Sequence, residues 1–335
     1  MDVEHRGLLR LRLRGTWLAV DDYVAADAID SAQWYPAAVS MLKVGDATYA
    51  LPLWSHPSIV GLYYNKDLFD QNGVAVPDGT WTTETLASTA AQLTKRSGDT
   101  ADLLGYAPSV GYFNGLCQVI PSFGGEPLSA DGKTMTFTEE KARAAIQWLA
   151  DLYVTSKVAP TPGPDTDVGV LMSSQKLAMN AGGYWGRWGA EATWEFNWGV
   201  APMSNGPAGN NGAMLQTDSV PISKDTKHPD EAWLFHKFTS TKEAGMFLWE
   251  QNYLPGSRPD VWEDPALMED PTHTVYADLM QTANPLYYPA NFRFREFEIA
   301  INQAMTNAWL GQKSVDEAIA DATEAGQAIL DQGPA

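Results

Sequence analysis

Hydrophobic positions along the chain switch between a two-residue and a 3.6-residue period. Tyr49 to Leu53 and Ile59 to Tyr64 are short apolar runs that read as strands on either side of a Ser-His-Pro loop. Asn65-Lys66-Asp67 closes the second run, and Gly73 and Pro77 lead to a helix that opens at Thr80-Trp81 and repeats Leu86, Ala90 and Leu93 at helical spacing up to Ser97-Gly98. A further helix is closed by Gly124-Gly125, and Ala130-Asp131-Gly132 turns between two short strands. Thr138 caps a helix with Glu139 and Glu140 in its first turn, where the helix dipole favours acids, and a buried stripe of Ala142, Ala145, Ile146, Leu149, Leu152 and Tyr153. Pro229 fits the first turn of a further helix. The chain closes on a helical pair, the second helix opening with a Ser314/Glu317 capping box ahead of Val315, Ala318, Ile319, Ala322, Ile329 and Leu330. Short strands alternating with helices predict an α/β fold, and no internal repeat of 20–50 residues is visible.

Composition narrows the function classes. The chain has 335 residues, room for two domains. Forty-one acidic against 22 basic residues give a net charge of −19, a surface that repels phosphate backbones, so no nucleic-acid partner is expected. Cys117 is the single cysteine, in an apolar stretch that predicts a buried, inert thiol. The five histidines show no HExxH spacing, and the Asp165-Thr-Asp167 pair lacks the rest of a calcium loop. No phosphate-binding, dinucleotide-binding or nucleophile-elbow motif is present, so no cofactor is expected. Thirteen tryptophans raise the expectation of carbohydrate handling, because indole faces stack on the apolar faces of sugar rings.

The segments YALP (49–52), YYNKDLFDQNGV (63–74) and the P-x-x-TW run (77–81), in this order and spacing, resemble the solute-binding proteins of carbohydrate ABC importers, the maltose-binding-protein kind. GTWLAVDDY (15–23), QKLAM (175–179) leading into AGGYWGRWGA, NYLPGSRPDVW (252–262) and NPLYYPANF (284–292) extend the likeness over about residues 15 to 332, with Gln175 standing where the family usually has glycine. The resemblance implies a periplasmic-binding-protein type II fold, two α/β lobes joined by a multi-crossing hinge. The N-terminal lobe would comprise residues 1–55 and about 256–287, and the C-terminal lobe about 58–252 and 290–335. It also implies a non-catalytic, monomeric, extracytoplasmic receptor, periplasmic or lipid-anchored, that delivers a mono- or oligosaccharide to ABC permease subunits.

Candidate ligand contacts follow from the same reading. Tyr106, Tyr112, Phe113, Tyr184, Trp185 and Trp188 fall in Gly-rich segments off any regular period, where aromatics often line clefts. By resemblance, Tyr112 and Trp185 take the positions that stack on the sugar. Trp188 and Arg187, a fork of donors for hydroxyls, accompany them. Trp54 and His56 follow the YALP segment, Asp218 precedes the VPIS run, and Arg293 follows NPLYYPANF. The competing reading is a glycoside hydrolase, with Glu191, Glu195 and Asp218 as the carboxylates from which a catalytic pair would be drawn.

The first fourteen residues differ in kind. LLRLRLR alternates apolar and basic side chains, putting Arg10, Arg12 and Arg14 on one face. No secretion signal or first strand–helix unit of the family precedes Gly15, so an incomplete N-terminal lobe is expected.

Overall fold

The computed structural model describes residues 15–98, 100–111, 113–163, 165–281, 283–285 and 293–332. The LLRLRLR stretch, Tyr112 and most of the NPLYYPANF segment lie outside the described residues. The described chain forms two compact units: one holds residues up to Pro57 together with Met214–Phe294, the other Ser58–Ala213 and Arg295–Gln332. The chain therefore passes between them at 57/58, 213/214 and 294/295. The second of these boundaries differs from the expected 252–256, because residues 214–252 pack with the first segment of the chain, as the pairings below show.

The first unit begins with helix α1 (Asp21–Ala26), helix α2 (Pro36–Met41, proline at its first turn) and a two-stranded hairpin of β1 (Lys43–Val44) and β2 (Ala47–Thr48) turning at Gly45, whose φ is +56°. Strand β3 (Trp54–His56) follows. The expected strand at Tyr49–Leu53 is an extended connection instead, and the Ser-His-Pro loop is mostly strand. Pro52 has no N–H to give a ladder, and the Leu51 N–H is taken by a side chain, the Nε2 of His236 at 2.7 Å.

The second unit opens on β4 (Gly61–Asn65), buried along its whole length. The Asn65 side chain caps helix α3 (Lys66–Gln71) by accepting from the Leu68 N–H at 3.0 Å. Helix α4 (Thr83–Leu93) starts later than expected, because Thr82 is its cap while Thr80 is held in a turn by Asp78. Strands β5 (Lys95–Ser97) and β6 (Thr100–Ala107), helix α5 (Phe113–Ser122), helix α6 (Glu140–Tyr153), helix α7 (Val168–Ser173), strand β7 (Leu177–Gly182), helix α8 (Gly186–Thr193) and strand β8 (Trp198–Pro202) complete this run. Thr138 does not cap α6: Glu139 is the flanking residue and makes no side-chain cap. Asp167, of the Asp165/Asp167 pair that lacks the rest of a calcium loop, caps α7 by accepting from the Val170 N–H. The sheet runs β5-β6-β7-β4-β8, with β6 and β7 parallel and β4 antiparallel to both its neighbours. β6 escapes periodicity because its opening residues mix exposed polar Thr100 and Asp102 with a half-buried Ala101, and only Leu103 to Ala107 are buried.

Helix α7 ends in a left-handed residue. Gln175 has φ +57°; its N–H donates to the Met172 carbonyl at 2.9 Å and the Lys176 N–H to that of Leu171 at 2.8 Å, the double bond of a Schellman cap. Gln175 is exposed, so its side chain gives little packing in return for the steric cost of that conformation. Gln175→Gly is expected to stabilise the protein by about 0.5–1 kcal/mol, the strain relieved less the extra unfolded-state freedom of glycine. Denaturant titration checks it; a midpoint that stays or falls would show the side chain contributing more than its strain costs.

The chain then returns to the first unit with β9 (Met214–Asp218), helix α9 (Pro229–Thr239) and helix α10 (Lys242–Glu250). Three further helices, α11 (Pro259–Trp262), α12 (Pro265–Met268) and α13 (Pro271–Met280), each start on a proline, and β10 (Asn284–Pro285) follows. β9 is the central strand of a three-stranded sheet, parallel to β10 and antiparallel to β3, with Trp54 opposite Asp218 and His56 opposite Gln216. Val20, Trp34, Leu51, Ile222 and Trp233 form a buried core cluster here. This pairing and this core place residues 214–252 with the first segment. The second unit ends with α14 (Phe294–Trp309) and α15 (Val315–Leu330), whose capping box forms as the sequence predicts: Ser314 Oγ accepts from the Glu317 N–H, and the Glu317 carboxylate accepts from the Ser314 N–H.

Candidate ligand-binding site

Each unit carries its own cluster of the predicted residues. In the first unit, antiparallel β3 and β9 set Trp54, His56 and Asp218 side by side. Trp54 donates its indole N–H to Asp218 Oδ2 at 2.7 Å, and His56 Nε2 stands 4.0 Å from the same oxygen. His56 is 2% exposed and Asp218 6% exposed. Burial pushes the His56 imidazole down to about 3, so the ring is neutral at ordinary pH and its approach to Asp218 is not an ion pair. Asp218 therefore has one oxygen committed to Trp54 and offers fewer free lone pairs to a ligand than the sequence suggested.

The other face of β3 carries residues the sequence reading did not single out. Ser55 Oγ lies 2.8 Å from Thr217 Oγ1 and 2.8 Å from Ser257 Oγ, a chain of three buried hydroxyls tying β3, β9 and the segment before α11. The strand alternation of Trp54, Ser55 and His56 was the available signal: once β3 is a strand, Ser55 must face away from its neighbours. Arg293 is half-buried just before α14.

In the second unit, the GGYWG turn between β7 and α8 is shaped by two rings. A side chain at Gly182 would strike the Tyr63 ring at 2.7 Å, and one at Gly183 would strike the Trp185 indole at 2.2 Å. Tyr63, on β4, donates its hydroxyl to the Gly183 carbonyl at 2.9 Å and packs against Trp194 and Trp198, with ring centroids 6.0 and 6.2 Å away. The glycines thus let one aromatic support the turn from within while another lies on its surface. Trp185 is 37% exposed, directly before the first residue of α8.

Other predicted residues of this cluster take different roles. Tyr106 lies on β6 and is 3% exposed, Phe113 opens α5 fully buried, and Tyr184 is fully buried. Tyr106 and Phe113 are core aromatics because β6 and α5 extend into the stretch that looked irregular, whereas Tyr184 stays in the turn between β7 and α8 and is buried there. Trp188 sits within α8, half-buried. Arg187 is also in α8: its Nη1 donates to the Tyr184 hydroxyl at 3.0 Å and its Nε to Glu191 Oε1 at 3.1 Å, with the guanidinium carbon 5.5 Å from the Tyr184 ring centroid. Those bonds occupy part of the donor fork and hold it in one orientation. Tyr112 lies outside the described residues.

Among the described residues, no three His, Cys, Asp or Glu side chains gather to hold a metal, and no helix is long and apolar enough to cross a membrane. Residues 4–246 match the model of the bacterial extracellular solute-binding proteins. The chain belongs to that family. A binding protein of Brucella abortus is 26% identical over 287 residues, 84% of this chain and 68% of its own. An ABC substrate-binding protein of Listeria monocytogenes, solved in complex with cycloalternan, superposes with a TM-score of 0.86 at 20% identity, over 98% of this chain and 84% of that one. The GacH receptor of Streptomyces glaucescens, solved unliganded and in complex with acarbose, gives 0.84 at 25% identity, over 99% and 84%. The fold of the solute-binding family member is thus the type II periplasmic-binding-protein fold, and its kin are binding proteins and not enzymes.

Proposed function

We propose that this solute-binding protein takes up a mono- or oligosaccharide outside the cytoplasm and delivers it, as a monomer, to the permease subunits of an ABC importer. The observation that carries the proposal is Trp185, a large aromatic kept 37% exposed on a turn whose glycines and buried Tyr63 fix its place. An exposed indole on a rigid turn presents an apolar face of the kind a pyranose ring covers. The acarbose seen with the similar GacH receptor supports an oligosaccharide ligand. Trp54, His56 and Asp218 supply a second group, in which a carboxylate oxygen and a neutral imidazole accept or donate to hydroxyls.

The test is thermal stabilisation and calorimetric titration with acarbose, maltotetraose and a panel of mono- and disaccharides. Saturable binding without turnover of chromogenic glycosides is the expected result. A flat response to every sugar would sink the proposal, and turnover would return the hydrolase reading.

A further inference from the structure

The first unit holds a cavity of about 510 Å³ whose lining includes none of Trp54, His56 and Asp218. That volume is in the range of sites for small molecules. Trp34 and Tyr35, 4% and 6% exposed, form its buried wall, and Pro36, Val39 and Pro259 complete an apolar lining. Ser40 and Lys43 line it from exposed positions.

The walls are tied in place. The Trp34 indole N–H donates to the Ser240 carbonyl at 3.2 Å. Arg258 spans the two sides: its Nη1 donates to Gln33 Oε1 at 2.5 Å, while Nε and Nη2 each donate to the Asp260 carboxylate at 2.8 Å. Gln33 precedes Trp34 and Asp260 follows Pro259, so this one guanidinium joins the segment before α2 to the start of α11.

Tyr35 is the polar feature of the buried wall. Among the described residues its hydroxyl has no hydrogen-bond partner, so its donor and lone pairs are open to what enters the cavity. The carboxylates that act on it, Glu263 and Asp260, belong to α11 and the residue that ends it, so the hydroxyl faces the Pro259 side. Burial, with those two carboxylates, pushes the phenol up and keeps it a neutral donor. The same carboxylates disfavour an anion at that point. Aromatic and proline walls around one neutral donor suit a ring with an apolar C–H face and hydroxyls at its rim.

We propose that this cavity is a second binding site, for a neutral pyranoside, with the Tyr35 hydroxyl as its hydrogen-bonding handle. The site stands apart from the Trp185 turn and does not depend on it. The test uses the full chain carrying Trp185→Ala, which removes that platform and leaves the cavity intact, with maltose and methyl α-glucoside as probes. In protein carrying fluorotyrosine, the resonance missing from Tyr35→Phe reports on the cavity. It should move with added sugar along a saturable curve in the millimolar range. Tyr35→Phe should melt with its parent, since no protein group loses a partner. By ligand-observed NMR it should bind about 3- to 10-fold more weakly, the worth of one neutral hydrogen bond. Ser40→Trp gives up only a bond to Ala37 of its own helix, puts an indole into the cavity and should abolish the binding.

A Tyr35 resonance that stays still at every sugar concentration overturns the proposal, and so does equal affinity in Tyr35→Phe. Saturation by indole with no response to either sugar overturns it in favour of an aromatic ligand. Sugar binding that survives in folded Ser40→Trp places the sugar elsewhere. Should Ser40→Trp fail to fold, the two Tyr35 readouts decide alone.

Discussion

Replacing Trp185 by alanine is expected to weaken sugar binding about 5- to 150-fold, because covering one indole face contributes roughly 1–3 kcal/mol and each ~1.4 kcal/mol is a factor of ten. A second substitution reaches the same ring from below. A methyl group at Gly183 would lie 2.2 Å from the Trp185 Cη2 and Cζ3 atoms, so in Gly183→Ala the indole must leave its place. The obstruction is the far end of a side chain and not backbone, so the turn itself need not unfold. Gly183→Ala should therefore lose most of the affinity that Trp185→Ala loses while melting close to the parent, and the double variant should lose no more than Trp185→Ala alone. Trp148 provides the control: it sits in α6 against Phe123, at a centroid distance of 6.0 Å, and Trp148→Phe should leave affinity unchanged. Calorimetric titration of the folded variants with the best-binding sugar is the measurement. An unchanged dissociation constant in Trp185→Ala would remove this ring from the site and leave Tyr112 as the leading platform.

How much of this was legible in the sequence depends on which physical signal each feature carries. The capping box at Ser314, the proline start of α9 and the buried stripe of α6 from Ala142 to Leu152 are local patterns, and they form where the sequence puts them, while Tyr153 at the end of the stripe is only half-buried. The boundary at 213/214 was not legible, because it depends on β9 pairing with β3 across about 160 residues, a contact no local period encodes. Thr80 and Thr138 were misassigned as caps for a related reason. Several Thr and Asp residues near each start could cap equally well, and the turn around Asp78 decides the first case. In the candidate site, Trp185 stood out as an aromatic among glycines. The residue that supports its turn, Tyr63, was hidden in the apolar run of β4, where one tyrosine looks like any other core residue. Tyr106, Phe113 and Tyr184 show the reverse error: irregular spacing suggested cleft-lining positions, yet strand β6 buries Tyr106, helix α5 buries Phe113, and Tyr184 is buried within its turn.

Acid should destabilise the first unit before its carboxylates protonate, and His236 should be a principal cause. Its Nε2 accepts the Leu51 N–H at 2.7 Å and its Nδ1 lies 2.9 Å from the Val220 carbonyl, so the neutral ring with the proton on Nδ1 satisfies both neighbours at once. Protonating Nε2 would set a donor against a donor in a buried site. Burial lowers the pKa from 6.5 to about 4, with the Val220 bond opposing part of that shift. Because the folded value lies below the unfolded one, the unfolded chain takes up the proton first as pH falls. The stabilisation from holding His236 neutral is thus complete above about pH 6.5 and is lost progressively down to about pH 4, on the order of 3 kcal/mol in total. His56, lowered to about 3 by burial, adds a loss in the same direction that extends to lower pH. The two are separated by His236→Gln, whose amide can still donate and accept but does not titrate. At pH 7.5 this variant should be about 1–3 kcal/mol less stable than the parent, through poorer geometry at two buried bonds. Toward pH 4 the gap should close and then reverse, since only the parent pays for protonation there, while the His56 contribution cancels in the comparison. Urea titrations of both proteins between pH 4 and 7.5 give the difference directly. A gap that stays constant across that range would mean that the imidazole accepts its proton in the folded state as readily as in the unfolded one, and that the Leu51 N–H does not depend on it.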